Sequence, residues 1–256
     1  MEAILVKELS KHFFISRKKK IGKRSSESNT IIRAVDAISF TVNRGEIFGF
    51  LGPNGAGKTT TIRMMTGVLK PSKGNIKIFD HDVWKNPIPI KQITGNVPEE
   101  ANAYLELTGW QNLIFIGEIY GISKKDREER AESLLKKFEL FEKGNMKTKK
   151  YSKGMKQRLL LCMALMTNPE VLFLDEPTSG LDVQSARIIK QLIREYNEKG
   201  MTIFLTTHDM EIANELCHRI AIINRGKIIS LDTPENLKKL TQEYLAIDCY
   251  FNEAII

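Results

Sequence analysis

The sequence predicts an α/β protein with a mainly parallel sheet, an antiparallel β portion at the N-terminus and a helical insert. Three observations carry this prediction. First, short β-rich apolar runs at residues 171–174 and 202–205 are separated by a helical pattern at 183–197, the alternation that builds parallel sheets covered on both faces. Second, strand patterns at 37–42 and 46–51 flank the turn Asn43-Arg44-Gly45,. Third, from about residue 108 to 166 strand signals give way to helical spacing, with Leu113, Ile116, Ile119 and Tyr120 on one stripe,.

The remaining elements follow in order. Residues 3–8 are strand-like, and 16–30 (SRKKKIGKRSSESNT) read as a polar, basic loop without periodicity,. Residues 58–69 read as a helix, 71–74 (PSKG) as a turn and 75–79 as a strand. A second helical segment of the insert falls at 131–138. A third starts at Ser152 and stops at Asn168-Pro169,. The tail after Asp232 has helical periodicity (Leu237, Leu240, Tyr244) and no motif.

Composition narrows the classes. With 42% hydrophobic and 27% charged residues the 256-residue chain is ordinary globular material,. Its longest apolar run, residues 159–166, falls far short of the roughly 20 residues that span a bilayer. The N-terminus lacks a signal-peptide pattern, so a soluble, cytosolic protein is expected. Cys162, Cys217 and Cys249 fit neither a disulfide framework nor metal-ligand spacing, and read as reduced thiols,. The net charge is +8, but residues 17–24 (RKKKIGKR) supply six of those charges. Such a run suits nucleic acid, an anionic membrane surface or plain solvation.

Residues 52–59, GPNGAGKT, fit G-x-x-x-x-G-K-[ST] between a strand and a helix,. Glycines 52, 55 and 57 allow successive backbone N–H groups to turn around an anion. Lys58 can reach β- and γ-phosphates, and Thr59 can ligate Mg²⁺. The core is therefore expected to be a P-loop NTPase fold. VLFLDEP at 171–177 is a buried strand ending in two acids, at the strand ends where open α/β sheets bind ligands,. Asp175 is placed to hold Mg²⁺. The period-two rule sends Glu176 to the other side, where it could polarise an attacking water. The strand TIFLTT ends at His208, either a polar loop residue or a γ-phosphate contact. In YSKGMKQR (151–158), Ser152 caps a helix, Gly154 permits close approach of another backbone, and Lys153 and Lys156 favour an anion,. Two anion sites do not match one nucleotide.

GPNGAGKTT, YSKGMKQR, VLFLDEPTSGLD and His208, in that order, resemble the Walker A, signature, Walker B, D-loop and switch-histidine elements of ABC-type ATPases. The likeness runs over about residues 3–230. It implies an ATP-binding domain at 1–230, with a core of about 1–98 and 166–230, a helical subdomain of about 99–165, and a tail at 231–256. In that family two such domains pair head to tail, each ATP lying between one phosphate loop and the partner's signature helix. By position, Gly52, Pro53, Asn54, Gly55, Ala56, Gly57, Lys58, Thr59 and Thr60 cradle phosphate. Thr59, Asp175 and Glu99 would hold Mg²⁺, Glu176 is the general base, and His208 senses γ-phosphate. Ser152 and Gly154 contact the partner's ATP, and Asp182 sits at the dimer seam. The adenine-stacking aromatic would be Phe13, with Phe14 the second choice.

Tyr151, Lys153 and Met155 depart from the family's LSGGQ signature, and Glu99 replaces its usual glutamine. With LTGWQNLIFIGEIYGI these resemble the subgroup driving drug, antibiotic-peptide, lipid or polysaccharide export. The resemblance implies ATP and Mg²⁺ as cofactors, a second nucleotide-binding domain and an integral membrane permease as partners, and a place on the inner face of the cell membrane. Nucleic acid is not an expected partner. The competing reading is a soluble ABC ATPase acting on a macromolecule, which only the basic run favours.

Overall fold

In the computed structural model, which describes residues 1–21, 24–99 and 103–242, the chain opens with two long strands, β1 (Glu2–Ile21) and β2 (Arg24–Asn43). There follow β3 (Ile47–Leu51), α1 (Lys58–Met65), β4 (Lys73–Ile78), β5 (His81–Asp82), α2 (Pro87–Ile93) and β6 (Thr94–Val97). The helical stretch holds α3 (Gly109–Ile119), α4 (Lys124–Lys137) and α5 (Lys153–Leu165), with short 3-10 turns at Phe141–Lys143 and Thr148–Lys150. The chain then runs through β7 (Val171–Asp175), α6 (Val183–Glu198), β8 (Thr202–Thr207), α7 (Met210–Leu216), β9 (Arg219–Asn224), β10 (Lys227–Asp232) and α8 (Pro234–Gln242).

The strands form two sheets, ordered β2-β1-β4-β5 and β10-β9-β3-β8-β7-β6. The first is antiparallel throughout. In the second only β10 runs against its neighbour. Strand alternation decides what each face of the parallel sheet meets. Phe48, Phe50, Phe173 and Phe204 all point to one face, where they join Phe40 of β2. Their rings lie 5.4–6.0 Å apart along the chain of contacts from Phe40 through Phe48 and Phe204 to Phe173, which locks the two sheets together. Ile47, Leu51, Leu172, Leu174, Ile203 and Leu205 point the other way, into a core shared with α5, α6 and α7. The parallel strands are thus buried on both faces, as their unbroken apolar runs require.

Three expectations need correction. Of the residues read as a basic loop at 16–30, 16–21 and 24–30 continue β1 and β2 as a two-stranded ribbon, in register from Ser16 opposite Asn29 to Ile21 opposite Arg24. A ribbon held by backbone bonds between its own arms needs no apolar periodicity, so the pattern could not reveal it. The helix at 58–69 ends at Met65, because Gly67 at φ +72° turns the chain out of it,. The predicted strand at 75–79 starts two residues earlier and ends at Ile78. Cys162 and Cys217 are buried free thiols. Gly22, Lys23, Tyr244 and Cys249 lie outside the described residues.

Candidate active site

The phosphate loop leaves β3 at the centre of the parallel sheet, and its shape depends on absent side chains. A Cβ on Gly52 would lie 2.3 Å from the Ile223 carbonyl oxygen. Gly57, at φ +111°, would put one 2.5 Å from the carbonyl oxygen of Ala34. Ala34 is the extra residue of a β-bulge, since Lys11 pairs with Val35 and His12 with Arg33,. Gly52 N–H donates to the Thr207 carbonyl at 3.2 Å, tying the loop to the end of β8. α1 then begins with no side-chain cap and no acid in its first turn, so its N–H groups are left for an anion. A cavity of about 340 Å³ opens here between the loop, Ala34, Thr59, Thr60 and Glu99.

The acids stand beside it. Asp175 ends β7 and is 1% exposed. Its Oδ1 accepts a 2.5 Å hydrogen bond from Thr206 Oγ1. Its Oδ2 is buried and has no hydrogen-bond partner among the described residues. Glu176 has left the strand at φ +51°, so the period-two rule does not place its side chain. That left-handed conformation costs about 1–2 kcal/mol. It is held by the Glu176 N–H donating to both the carbonyl and Oγ1 of Thr206, at 3.2 and 3.1 Å. Glu176 Oε1 lies 3.1 Å from Lys58 Nζ, in a buried pair. Oε2 lies 2.9 Å from Nδ1 of His208, whose side chain is half-exposed. Lys58 Nζ also donates to the carbonyls of Gly52 and Pro53, at 2.7 and 3.3 Å. Lys58, Glu176 and His208 therefore form one linked set.

The signature residues gather elsewhere. Ser152 Oγ caps α5 by accepting from Met155 N–H at 3.2 Å. Gly154 is buried, and a Cβ there would sit 2.2 Å from Ser185 Oγ. Close approach does need this glycine, but the approaching group is a side chain of the same protein and not another backbone. Ser185 in turn donates its N–H and Oγ to Asp182, at 2.8 and 2.7 Å, capping α6. Those bonds hold the Asp182 carboxyl below the usual carboxylate range. The N-terminal ends of α5 and α6 thus abut, and none of these residues lines the phosphate-loop cavity.

Comparison with known proteins decides the family. A model of the ABC transporter domain matches residues 35–179. The chain is 41% identical over 215 residues to the linearmycin resistance ATP-binding protein LnrL of Bacillus subtilis (strain 168), covering 84% of this chain and 68% of LnrL. The chain belongs to the ABC transporter family. It is an ATP-binding, ATP-hydrolysing subunit with the P-loop NTPase fold. It is also 43% identical to a fluoroquinolones export ATP-binding protein of Mycobacterium tuberculosis, over 80% of this chain and 67% of that protein. The ATP-binding cassette MJ0796, in a dimeric post-hydrolysis structure bound to ADP and Pi, superposes with a TM-score of 0.77 at 26% identity. That match covers 90% of this chain and 98% of the cassette.

Within this ABC cassette, neither Phe13 nor Phe14 lines the loop cavity. Phe13 pairs with Ile32 two rungs beyond the bulge at Ala34, under the Lys11 ammonium at 5.3 Å. Phe14 is 74% exposed. Two residues that join the site escaped the sequence reading. Thr206 orients both acids, and the two threonines before His208, ending a strand beside the acids, were the available signal. Ser185 links Gly154 to Asp182; the capping spacing from Asp182 could have pointed to it.

Proposed function

We propose that this subunit powers export of a drug-, antibiotic-, lipid- or polysaccharide-class cargo through a separate membrane permease, working as one of two head-to-tail ATP-binding domains. The observation that carries this reading is the separation of the phosphate loop from the signature residues Ser152 and Gly154. The α5 N-terminus is exposed at Ser152 and Lys153, and neither residue lines the phosphate-loop cavity. A partner's phosphate loop would supply the missing anion. The relatives named for drug resistance and fluoroquinolone export support the direction of transport. The division into a core of about 1–98 and 166–230, a helical subdomain of about 99–165 and a tail from 231 belongs to the same reading, although β10 runs on to Asp232.

In this mechanism the loop from Gly52 to Thr60 and the α1 N-terminus take the phosphates, and Phe13 takes the adenine face. Lys58 exchanges its loop carbonyls for phosphate oxygens. Mg²⁺ fits the residues present: the unpartnered buried Oδ2 of Asp175 is the hard oxygen ligand such an ion takes, with Thr59 and Glu99 beside the cavity,. When bound, the ion would neutralise charge developing on the phosphate oxygens. Glu176 accepts the proton of the attacking water. His208 holds one carboxylate oxygen of Glu176 and stands ready for the γ-phosphate, and Thr206 fixes both acids in place.

Among the described residues no helix is long and apolar enough to cross a membrane. A groove of about 470 Å³ between β6, α3 and α5, edged by Val68, Tyr104, Ile116, Tyr120 and Met163, would receive the permease. Its wall is tied to the signature. Thr148 Oγ1 donates to the Tyr104 carbonyl at 2.9 Å, and Asn112 brackets Tyr104 by accepting from its N–H and donating to its carbonyl. The N–H groups of Thr148 and Lys149 donate to Leu107 and Leu105. Groove and signature should therefore move as one body. Tyr120→Asp should abolish co-purification of the permease while leaving ATP binding intact; unchanged co-purification would remove the groove from the account.

A further inference from the structure

Beyond Phe13 the β1–β2 ribbon has no role in the ATP chemistry proposed above. β4 pairs with β1 only as far as Ser10. From Lys11 to Ile21, opposite Arg24 to Val35, the two arms pair only with each other among the described residues. At about 3.3 Å per residue this is an arm about 35 Å long. Its sequence is divided. After Lys11 opposite Val35 and His12 opposite Arg33 come two apolar rungs, Phe13 opposite Ile32 and Phe14 opposite Ile31. All four side chains are exposed, Phe14 by 74% and Ile31 by 55%. Beyond them, Arg17, Lys18, Lys19, Lys20 and Arg24 bring five positive charges, against one negative charge at Glu27 opposite Lys18.

The arm's origin says what it faces. Lys11 Nζ donates to the Lys70 carbonyl at 2.8 Å, His12 N–H to Ser72 Oγ at 3.0 Å, and Ser72 N–H to the Ser10 carbonyl at 2.8 Å. The arm is thus rooted on residues 70–72. Two residues before that root, Val68, 71% exposed, forms a rim of the groove read above as the permease seat. The arm therefore starts beside the rim of the groove that the proposed permease would occupy.

We propose that this ribbon is a membrane-surface arm for anionic lipid headgroups. Its basic run engages lipid phosphates, and the Phe14–Ile31 rung enters the interface. The inference rests on the groove reading for its direction and on the arm's own chemistry for its ligand. Aromatic and aliphatic side chains beside a lysine-arginine cluster are what an anionic interface rewards. Nucleic acid would use the charges but gain nothing from exposed isoleucines, since bases stack on aromatic rings.

The test uses the purified full chain without permease, so its outcome is independent of whether the groove seats one. The probes are sedimenting vesicles of phosphatidylcholine alone and of phosphatidylcholine with phosphatidylglycerol. Binding is expected only to the anionic vesicles, weakening as salt rises. Lys18→Gln/Lys19→Gln/Lys20→Gln should lower it by about a hundredfold, and Ile31→Ser by about tenfold, with the lysine variant keeping the parent ATPase rate in solution. Equal binding to both vesicle types, no binding to either, or full binding by the lysine variant would each overturn the proposal. So would tighter binding to duplex DNA than to anionic vesicles at the same salt, which would make nucleic acid the partner. Vesicle binding by a Tyr120→Asp protein that has lost its permease would leave the arm standing without the groove.

Discussion

Two helix N-termini in this protein are ready for an anion, and they differ in what surrounds them. α1 begins at a glycine with no cap, beside a buried lysine, two carboxylates and a cavity. α5 begins at a serine that already caps it, against the N-terminus of α6, with Lys153 exposed and outside the phosphate-loop cavity. The first is a whole phosphate site. In the proposed dimer the second would be half of one. An N-terminus by itself therefore does not identify a binding site; what decides is whether the same chain also supplies enclosure and counter-charges.

The largest effect that sharpens the contrast falls on the whole site. Glu176→Gln should cut steady-state turnover by on the order of a thousandfold, the range for loss of a general base, while ATP binding persists. It also leaves Lys58 buried without its countercharge. Nucleotide-free protein should then lose roughly 3 kcal/mol in denaturant titration, recovered when ATP is added. Turnover near the parent rate would remove Glu176 as the base.

Thr206→Val comes next. It strips the partner from Asp175 Oδ1 and one of two from Glu176 N–H, so about 1–3 kcal/mol of stability is at stake. Turnover should fall by about tenfold or more, with ATP affinity falling less. An unchanged rate would mean that the acids are oriented without it. Thr148→Val acts on the tie between groove and signature. Its hydroxyl is buried, and its loss should cost about 1–2 kcal/mol in denaturant midpoint experiments. The effect on permease-stimulated turnover should exceed that on basal turnover; equal effects would sever the tie.

The smallest effect concerns the α6 cap. The Asp182 carboxyl is held low by Ser185, so the native pKa lies below the unfolded one. The cap's contribution is therefore complete above the ordinary carboxylate range and disappears as pH falls through the lowered value. Asp182→Asn should flatten that acid limb of the melting-temperature profile, and a profile with the same slope would exclude Asp182 as its source.

Much of this was legible in the sequence because the informative signals are local. A glycine-rich loop between strand and helix, or an apolar strand ending in two acids, fits within a dozen residues, and the structure brings Lys58, Asp175, Glu176 and His208 to one sheet edge. What stayed hidden depends on contacts between distant residues. The ribbon over 16–21 and 24–30 is built by cross-strand backbone bonds, which leave no apolar period. Ser185 matters only because α5 and α6 abut. Glu176 could not be aimed by strand alternation, since its left-handed φ takes it out of the strand. The bulge at Ala34, which shapes the phosphate loop from another sheet, has no motif at all.

The half-site claim is tested most directly by Ser152→Asp in a Glu176→Gln background. Aspartate keeps the α5 cap, so helix stability is retained, but it sets a negative charge against any incoming phosphate. Sedimentation velocity with and without ATP, together with monomer ATP affinity, provides the measurement. The account predicts that Glu176→Gln alone dimerises with ATP, and that adding Ser152→Asp abolishes the dimer while monomer affinity changes by no more than about threefold. Loss of monomer ATP binding, or a dimer that survives the substitution, would contradict it.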